Sequence, residues 1–413
     1  MMVELASFRR NHSFSTLDTR DVWLGAVADN GAMDVDLALV GNGGAASLLL
    51  DALARHGIRD LRIATIDPGD GDRHRTWAFW TGATDDLDPV LEASWTAVDL
   101  YAPQRRTLEL GPTRYAMVRS APVFARAEQA ADRLGVKRII ARAAEVLDEG
   151  TAVTVRDPHG DVIVRAEWVL DSRPAKPARP GRTSWLQHFR GWWVRSAEPV
   201  FDPRSAVLMD FRTPQPPRGV SFGYVLPTGA HTALIEYTEF SPQRLEDAAY
   251  VEALSAYTRG LGLDPDKLLV EQVEDGAIPM TDAPFTLRPS PRVVRLGTAG
   301  GATRPSTGYT FSAMRRQADQ IAAALARGGD PVPNPAYPRR HLWMDAVALR
   351  AWDRGLVPAP AFFERLFMRN SPSRVLRFLD GRTSPTEEVA LMASTPLLPM
   401  TRAAAGDLLA RFR

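Results

Sequence analysis

Two stretches of the chain share one pattern of apolar and polar positions. Val35 to Val40 is a short apolar run, Gly41-Asn42-Gly43-Gly44-Ala45 is a turn, and apolar residues recur at helical spacing from Ala46 to His56, where Gly57 ends them. Leu61 to Ile66 is a second apolar run closed by Asp67, which completes a β-α-β unit. Far downstream, Val293 to Leu296 enters the turn Gly297-Thr298-Ala299-Gly300-Gly301, and Phe311 to Arg327 follows as an amphipathic helix.

Between these units the pattern changes. Arg75 to Trp95 is aromatic-rich and reads as loop, and Val118 to Arg133 reads as helix. Lys137 to Leu170 reads as short strands with a hairpin turn at Asp157-Pro158-His159-Gly160. Pro174 to Pro180 is a connector, and residues 183–290 are strand-rich. Their runs at Trp192 to Ser196, Ala206 to Phe211, Ser221 to Leu226 and Thr232 to Tyr237 predict a mostly antiparallel sheet, interrupted by a helix over Leu245 to Leu261. Residues 338–413 read as helical. The expected organisation is an N-terminal extension (1–33), a discontinuous nucleotide-binding domain (34–180 and 291–330), a strand-rich substrate domain (181–290) and a C-terminal helical region (331–413).

Composition narrows the chemistry. The chain has 413 residues, a net charge of +1 and no cysteine, which argues against nucleic acid and excludes thiolate catalysis, disulfides and iron–sulfur clusters. The N-terminal segment lacks the apolar core of a signal peptide, and no stretch reaches the roughly 18 apolar residues of a membrane span. The expectation is a cytoplasmic protein, either soluble or peripheral to a membrane.

The first turn, Gly41-x-Gly43-x-x-Ala46, follows a strand and opens a helix. Its glycines admit a pyrophosphate at the helix N-terminus, Ala46 permits close packing, and Asp67, 24 residues after Gly43, stands where an acid binds ribose. The second turn supplies Gly297, Gly300 and Gly301, with Pro305, Thr307 and Gly308 before its helix. Two such turns point to one long dinucleotide, FAD, held from two places in a Rossmann-like α/β fold of the hydroxylase-like flavoprotein kind. Flavin hydroxylases commonly carry an aspartate after the first glycine of the second turn, where this chain has Thr298.

Several separated segments, in order, resemble the lycopene cyclase family of carotenoid biosynthesis in its bacterial beta-cyclase form. They include GNGGAASLLL (41–50), RTWAFW (75–80), QHFRGWWV (187–194), MDFR (209–212), YVLP (224–227), ALIEYTEF (233–240), GAIPM (276–280), GTAGGATRPSTGYTF (297–311), FFERLF (362–367) and RFLDG (377–381). Where family members often have cysteine this chain has Ala78, and the acid–arginine–glycine pattern becomes Asp171-Ser172-Arg173-Pro174. The resemblance implies FAD, reduced during catalysis, with NAD(P)H as the electron source, and an isomerase-type reaction without net redox change. In it, the end group of lycopene is protonated at C2, closes a ring through C6 and loses a proton to give a beta ring.

Glu236 matches the family's essential glutamate, and its apolar strand neighbours would raise its pKa. A second acid often follows it in the family; here that position is Tyr237. Strand alternation sends Glu236 and Thr238 to one face, Tyr237 and Glu239 to the other. Asp210 is the second catalytic candidate, with pairing to Arg212 as its structural alternative. Glu274 and Asp275 read more as loop charges. Arg75 and Thr76 are expected at the cofactor, and Trp77, Trp192 and Tyr237 at the substrate, since aromatic faces stabilise cations. Phe362 to Arg369 offers an amphipathic surface for membrane contact or an ordinary core helix. The alternatives to a cyclase are an FAD-dependent hydroxylase or reductase acting on an apolar substrate, a cyclase of another isoprenoid chain, and a pigment- or flavin-binding protein without catalysis.

Overall fold

The computed structural model of the chain describes residues 33–71, 74–102 and 104–411. The N-terminal extension expected over residues 1–33 lies outside the described residues except for its last, Met33, which opens the first strand. Strands and helices are numbered along the chain.

Strand β1 (Met33–Val40) leads through the first glycine turn into α1 (Gly44–Arg55) and on to β2 (Ile63–Asp67). Alternation along β1 buries both faces: Leu37 and Leu39 pack with α1, while Ala38 and Val40 pack on the far side. With β8 (Lys137–Ile140), β9 (Glu145–Asp148), β10 (Val153–Arg156), β11 (Val162–Asp171) and β17 (Val293–Arg295) these strands form a seven-stranded sheet. Its order is β8-β2-β1-β11-β10-β9, and β17 lies parallel to the last three residues of β11. That pairing delivers the second glycine turn beside the first. Helices α2 (Ser120–Arg133) and α4 (Phe311–Leu325) pack with α1 over one face.

The segment expected as loop from Arg75 to Trp95 instead contributes β3 (Thr76–Thr81) and β4 (Ala93–Trp95) to a small antiparallel sheet with β7 (Arg114–Arg119). Its aromatic residues hid a strand: Phe79 and Trp80 are buried, and Trp80 stacks on Tyr115 at 5.7 Å.

The second large sheet has the order β16-β12-β15-β14-β13-β5-β6. It is built from β5 (Ala97–Tyr101), β6 (Arg105–Glu109), β12 (Ser184–Ser196), β13 (Ser205–Asp210), β14 (Val220–Pro227), β15 (Thr232–Ser241) and β16 (Leu268–Thr281). Every pairing is antiparallel except β13 with β5. Helix α3 (Asp247–Gly260) covers one face, with Tyr250, Leu254 and Tyr257 against Ile235 and Tyr237.

On the other face lie α5 (Arg339–Asp353), α6 (Ala359–Met368), α7 (Pro372–Leu379), α8 (Pro385–Ser394) and α9 (Leu397–Arg411). Phe362, Phe363, Leu366 and Phe367 of α6 are buried in the same core as Phe222 and Phe240 of the sheet. This α6 face is therefore core, and the membrane contact considered for it is corrected. Among the described residues no helix is long and apolar enough to cross a membrane.

Candidate functional site

A cavity of about 880 Å³ runs from the two glycine turns to the α3-free face of the second sheet. At the first turn Gly41 holds a φ of +91°, and a Cβ there would stand 2.3 Å from Ser172 Oγ, so only glycine fits. Gly43 caps α1 without a side-chain bond, no acid occupies the first helical turn, and Gly44 and Ala45 border the cavity. Ala46 is buried behind them. The Asp67 carboxylate accepts from the backbone N–H of Asn42 and of Gly69, both at 2.8 Å, which fixes the acid at the turn.

The second turn reaches the cavity through Thr298 and Ala299, and the loop after it through Gly308. Gly297, Gly300 and Gly301 form the turn behind that wall. Pro305 is buried, and Thr307 lines a small hollow on the far side, next to Tyr224, Tyr309 and Phe363. The loop is bolted to the helical region. Arg304, wholly buried, donates to Asp345 Oδ1 through Nε at 3.1 Å and Nη2 at 3.0 Å, and Ser306 donates to the same oxygen at 2.8 Å.

At the other end, β15 alternates as its sequence requires. Leu234, Glu236 and Thr238 face the cavity side, while Ile235, Tyr237 and Glu239 turn toward α3. Cross-strand register puts Tyr224, Glu236, Gly191 and Glu274 in one row across β14, β15, β12 and β16. Glu236 Oε1 accepts from Thr238 Oγ1 at 2.6 Å. Burial pushes its pKa up to about 8; the Thr238 bond opposes this and the Glu274 charge adds to it. The surface that Glu236 retains faces the cavity it lines. Three phenols from separate segments surround the acid: Tyr115 of β7, Tyr224 of β14 and Tyr309 ahead of α4. Burial raises all three, so they are neutral near pH 7, and Tyr309 reaches about 12. Trp80 sits edge-on to Tyr309 at 4.8 Å.

Of the residues expected at the cofactor, Arg75 and Thr76 line the cavity. So does Trp77, which stacks on Phe311 at 5.0 Å. Three expectations are corrected. Asp210 is fully buried among strand residues facing α3, where Arg212 grips both its oxygens and Tyr257 donates to it at 3.3 Å. It lies away from the cavity, in the structural pairing. Tyr237 points under α3 and donates to Glu239 at 3.1 Å, and Trp192 packs on the same far side. Their strand parity, opposite to that of Glu236 and Gly191, excludes them from the cavity wall.

Sequence reasoning missed the three tyrosines and ranked Glu274 as a loop charge. Glu274 is instead a buried strand residue on the cavity wall. Alternation in Tyr224-x-Leu226 was a local signal for one tyrosine; the other two are brought in by non-local pairing.

The model of the lycopene cyclase protein family matches residues 36–405. A lycopene beta-cyclase of Pseudescherichia vulneris is 28% identical over 390 residues, covering 89% of this chain and 96% of that protein. Among solved structures, p-nitrophenol 4-monooxygenase of Pseudomonas putida superposes with a TM-score of 0.60 at 16% identity, over 85% of this chain and 99% of that one. A flavin-dependent monooxygenase solved with FAD and substrate gives 0.54 at 16% identity, over 90% and 72%. The fold is that of the hydroxylase-like flavoproteins.

Proposed function

Because the chain belongs to the lycopene cyclase family, we propose that it converts the acyclic end groups of lycopene to beta rings, with Glu236 as the acid. The observation that carries this reading is Glu236 itself: a carboxyl held protonated near neutrality by burial, in a cavity walled by aromatic rings and continuous with both glycine turns.

The residues present suit FAD. The uncapped start of α1 offers backbone N–H groups and the positive end of its dipole to a pyrophosphate, and Asp67 offers a carboxylate to a ribose. Thr298, Ala299 and Gly308 would line the flavin's other side. Bound in reduced form, FAD would supply an electron-rich ring system that favours cationic chemistry in the cavity. NAD(P)H is the proposed electron source.

The chain's own groups perform the proton chemistry. Glu236 gives its proton to C2 of the terminal alkene, leaving a tertiary cation at C1. The C5–C6 alkene attacks C1, the C1–C6 bond closes the ring, and the charge moves to C5. Loss of the C6 proton to the Glu236 carboxylate restores the acid and forms the C5–C6 double bond. Tyr115, Tyr224 and Tyr309 line the cavity with rings that stabilise the cation without trapping it, since their phenols are neutral. Leu226, Leu234 and Phe189 of the wall offer no hydrogen-bonding partner to a water that would quench it.

A substrate drawn from a bilayer calls for a docking surface. The exposed Leu397, Leu398, Leu408 and Leu409 of α9, with Arg402 between them, support peripheral contact from the cytoplasmic side.

The test is to supply lycopene, FAD and a reductant to the purified chain without oxygen and to identify products by chromatography and mass. Cyclised product of unchanged mass is expected. Product that forms only with oxygen and gains its mass would favour a hydroxylase, and reaction with a different polyene alone would name another isoprenoid. Flavin binding without any product would leave a binding protein.

A further inference from the structure

We propose that Glu274 is the fixed anion of this site, an ionised carboxylate that stabilises the cation formed beside Glu236. The inference rests on the cyclase reading and assigns a second carboxylate to it.

Position comes first. Glu274 pairs with Gly191, which pairs with Glu236, so both carboxyls rise from the same face of one sheet with only a glycine between them. Both line the cavity. A side chain at Gly191 would stand between the acids; its Cβ would lie 3.5 Å from Glu236 Cβ and Cγ.

The bonding of the two acids differs. Glu236 has a single hydroxyl donor, Thr238. Glu274 has one donor per oxygen: the Thr76 backbone N–H donates to Oε1 and the Thr76 hydroxyl to Oε2, both at 2.6 Å. A backbone N–H can only donate, so Oε1 of Glu274 accepts, and both of its oxygens already have a short partner in Thr76. Glu274 is 5% exposed, and among the described residues it makes no ion pair with lysine, arginine or histidine. A buried anion without a cationic partner is costly, and such groups persist where the partner is transient. The transient partner here is the substrate cation, at C1 and then at C5. Glu274 itself exchanges no proton; Glu236 donates and recovers it. Among the described residues, Glu236 shares the cavity wall with the neutral phenols of Tyr115, Tyr224 and Tyr309, with the Arg75 guanidinium and with Glu274, and of these Glu274 is the charge that acts on Glu236.

Glu274→Gln removes the charge and keeps the shape. In the flavin-loaded variant kcat is expected to fall about 10²-fold, with KM little changed. The alkaline limb of the rate profile should move toward acid, because the like charge that added to the raised Glu236 pKa is gone. Thr76→Val removes one hydrogen bond and keeps the charge, so its limb should stay at the wild-type position. Difference infrared spectra at pH 7 give a readout independent of turnover: Glu236→Gln loses a protonated-carboxyl band, whereas Glu274→Gln loses a carboxylate band. A Glu274→Gln enzyme with an unmoved limb and kcat within threefold of wild type overturns the assignment. So does a Thr76→Val limb that moves equally far, or a protonated band lost from Glu274→Gln. Should that variant fail to load flavin, Glu274→Asp takes its place; an unmoved limb supports the assignment and a limb moved toward acid overturns it. A wild-type chain that makes no cyclised product would sink the cyclase reading instead, which the infrared arm does not depend on.

Discussion

Gly297 and Ala45 meet across the two glycine turns: a Cβ on Gly297 would lie 3.3 Å from that of Ala45. Gly297 also holds a φ of +60°, where any other L-residue costs about 1–2 kcal/mol. Gly297→Val should therefore weaken flavin binding by about tenfold or more while the rest of the fold persists. Titration of the apoprotein with FAD, followed by flavin fluorescence, measures it. Wild-type affinity in the variant would show that the meeting of the turns does not shape the cofactor site.

Glu236→Gln should abolish cyclisation, with a fall of about 10³-fold or more, and should retain FAD. The wild-type rate should be flat at neutral pH and fall as pH rises through about 8, since the protonated acid is the active form. Stability has the same sign. The folded pKa lies above the unfolded value, so Glu236 contributes fully below pH 4.5 and its contribution is lost as pH rises through about 8. Removing the titration flattens that slope. Melting temperatures of both proteins at pH 5 and pH 9 check it: wild type should lose more on going alkaline than Glu236→Gln.

Asp210→Asn should lower the melting temperature and leave the shape of the rate profile alone, because Asp210 meets Arg212 and Tyr257 rather than the cavity. Tyr237→Phe removes one hydrogen bond to Glu239, a cost of about 1 kcal/mol, and should cyclise normally. A shifted rate profile in either variant would return that residue to the chemistry.

Asp345→Ala strips the counter-charge from Arg304, which is wholly buried. Breaking such a pair costs about 3–5 kcal/mol. Denaturant unfolding should register that loss, together with weaker flavin retention, because the loop carrying Gly308 is no longer fixed. A variant as stable as wild type would mean that water reaches Arg304.

Replacing Leu398 and Leu409 with aspartate should reduce sedimentation with anionic vesicles by about an order of magnitude and leave turnover of detergent-dispersed lycopene unchanged. Equal sedimentation would move the contact off α9.

Local patterns were readable where a single stretch decides the structure. The β1-turn-α1-β2 unit has its apolar period, its glycines and Asp67 in one run of sequence. Glu236 was legible through the resemblance of the ALIEYTEF segment; alternation grouped it with Thr238 and left open which face meets the cavity. Strand β6 was not, since Arg105, Arg106 and Glu109 are exposed and give a polar pattern. Glu274 sits among Glu271 and Asp275, and only pairing with β12 reveals which of these acids is buried. Tyr115 and Tyr309 belong to segments that meet only after three sheets have assembled.

The Arg304–Asp345 pair ties the fate of the cofactor loop to a helix that begins beyond it in the chain. A polypeptide shortened to end before Arg339 would forfeit more than a lid over the sheet. It would lose the peg on which its own nucleotide cradle hangs, so the terminal helices and the flavin turn are inherited as one piece of hardware.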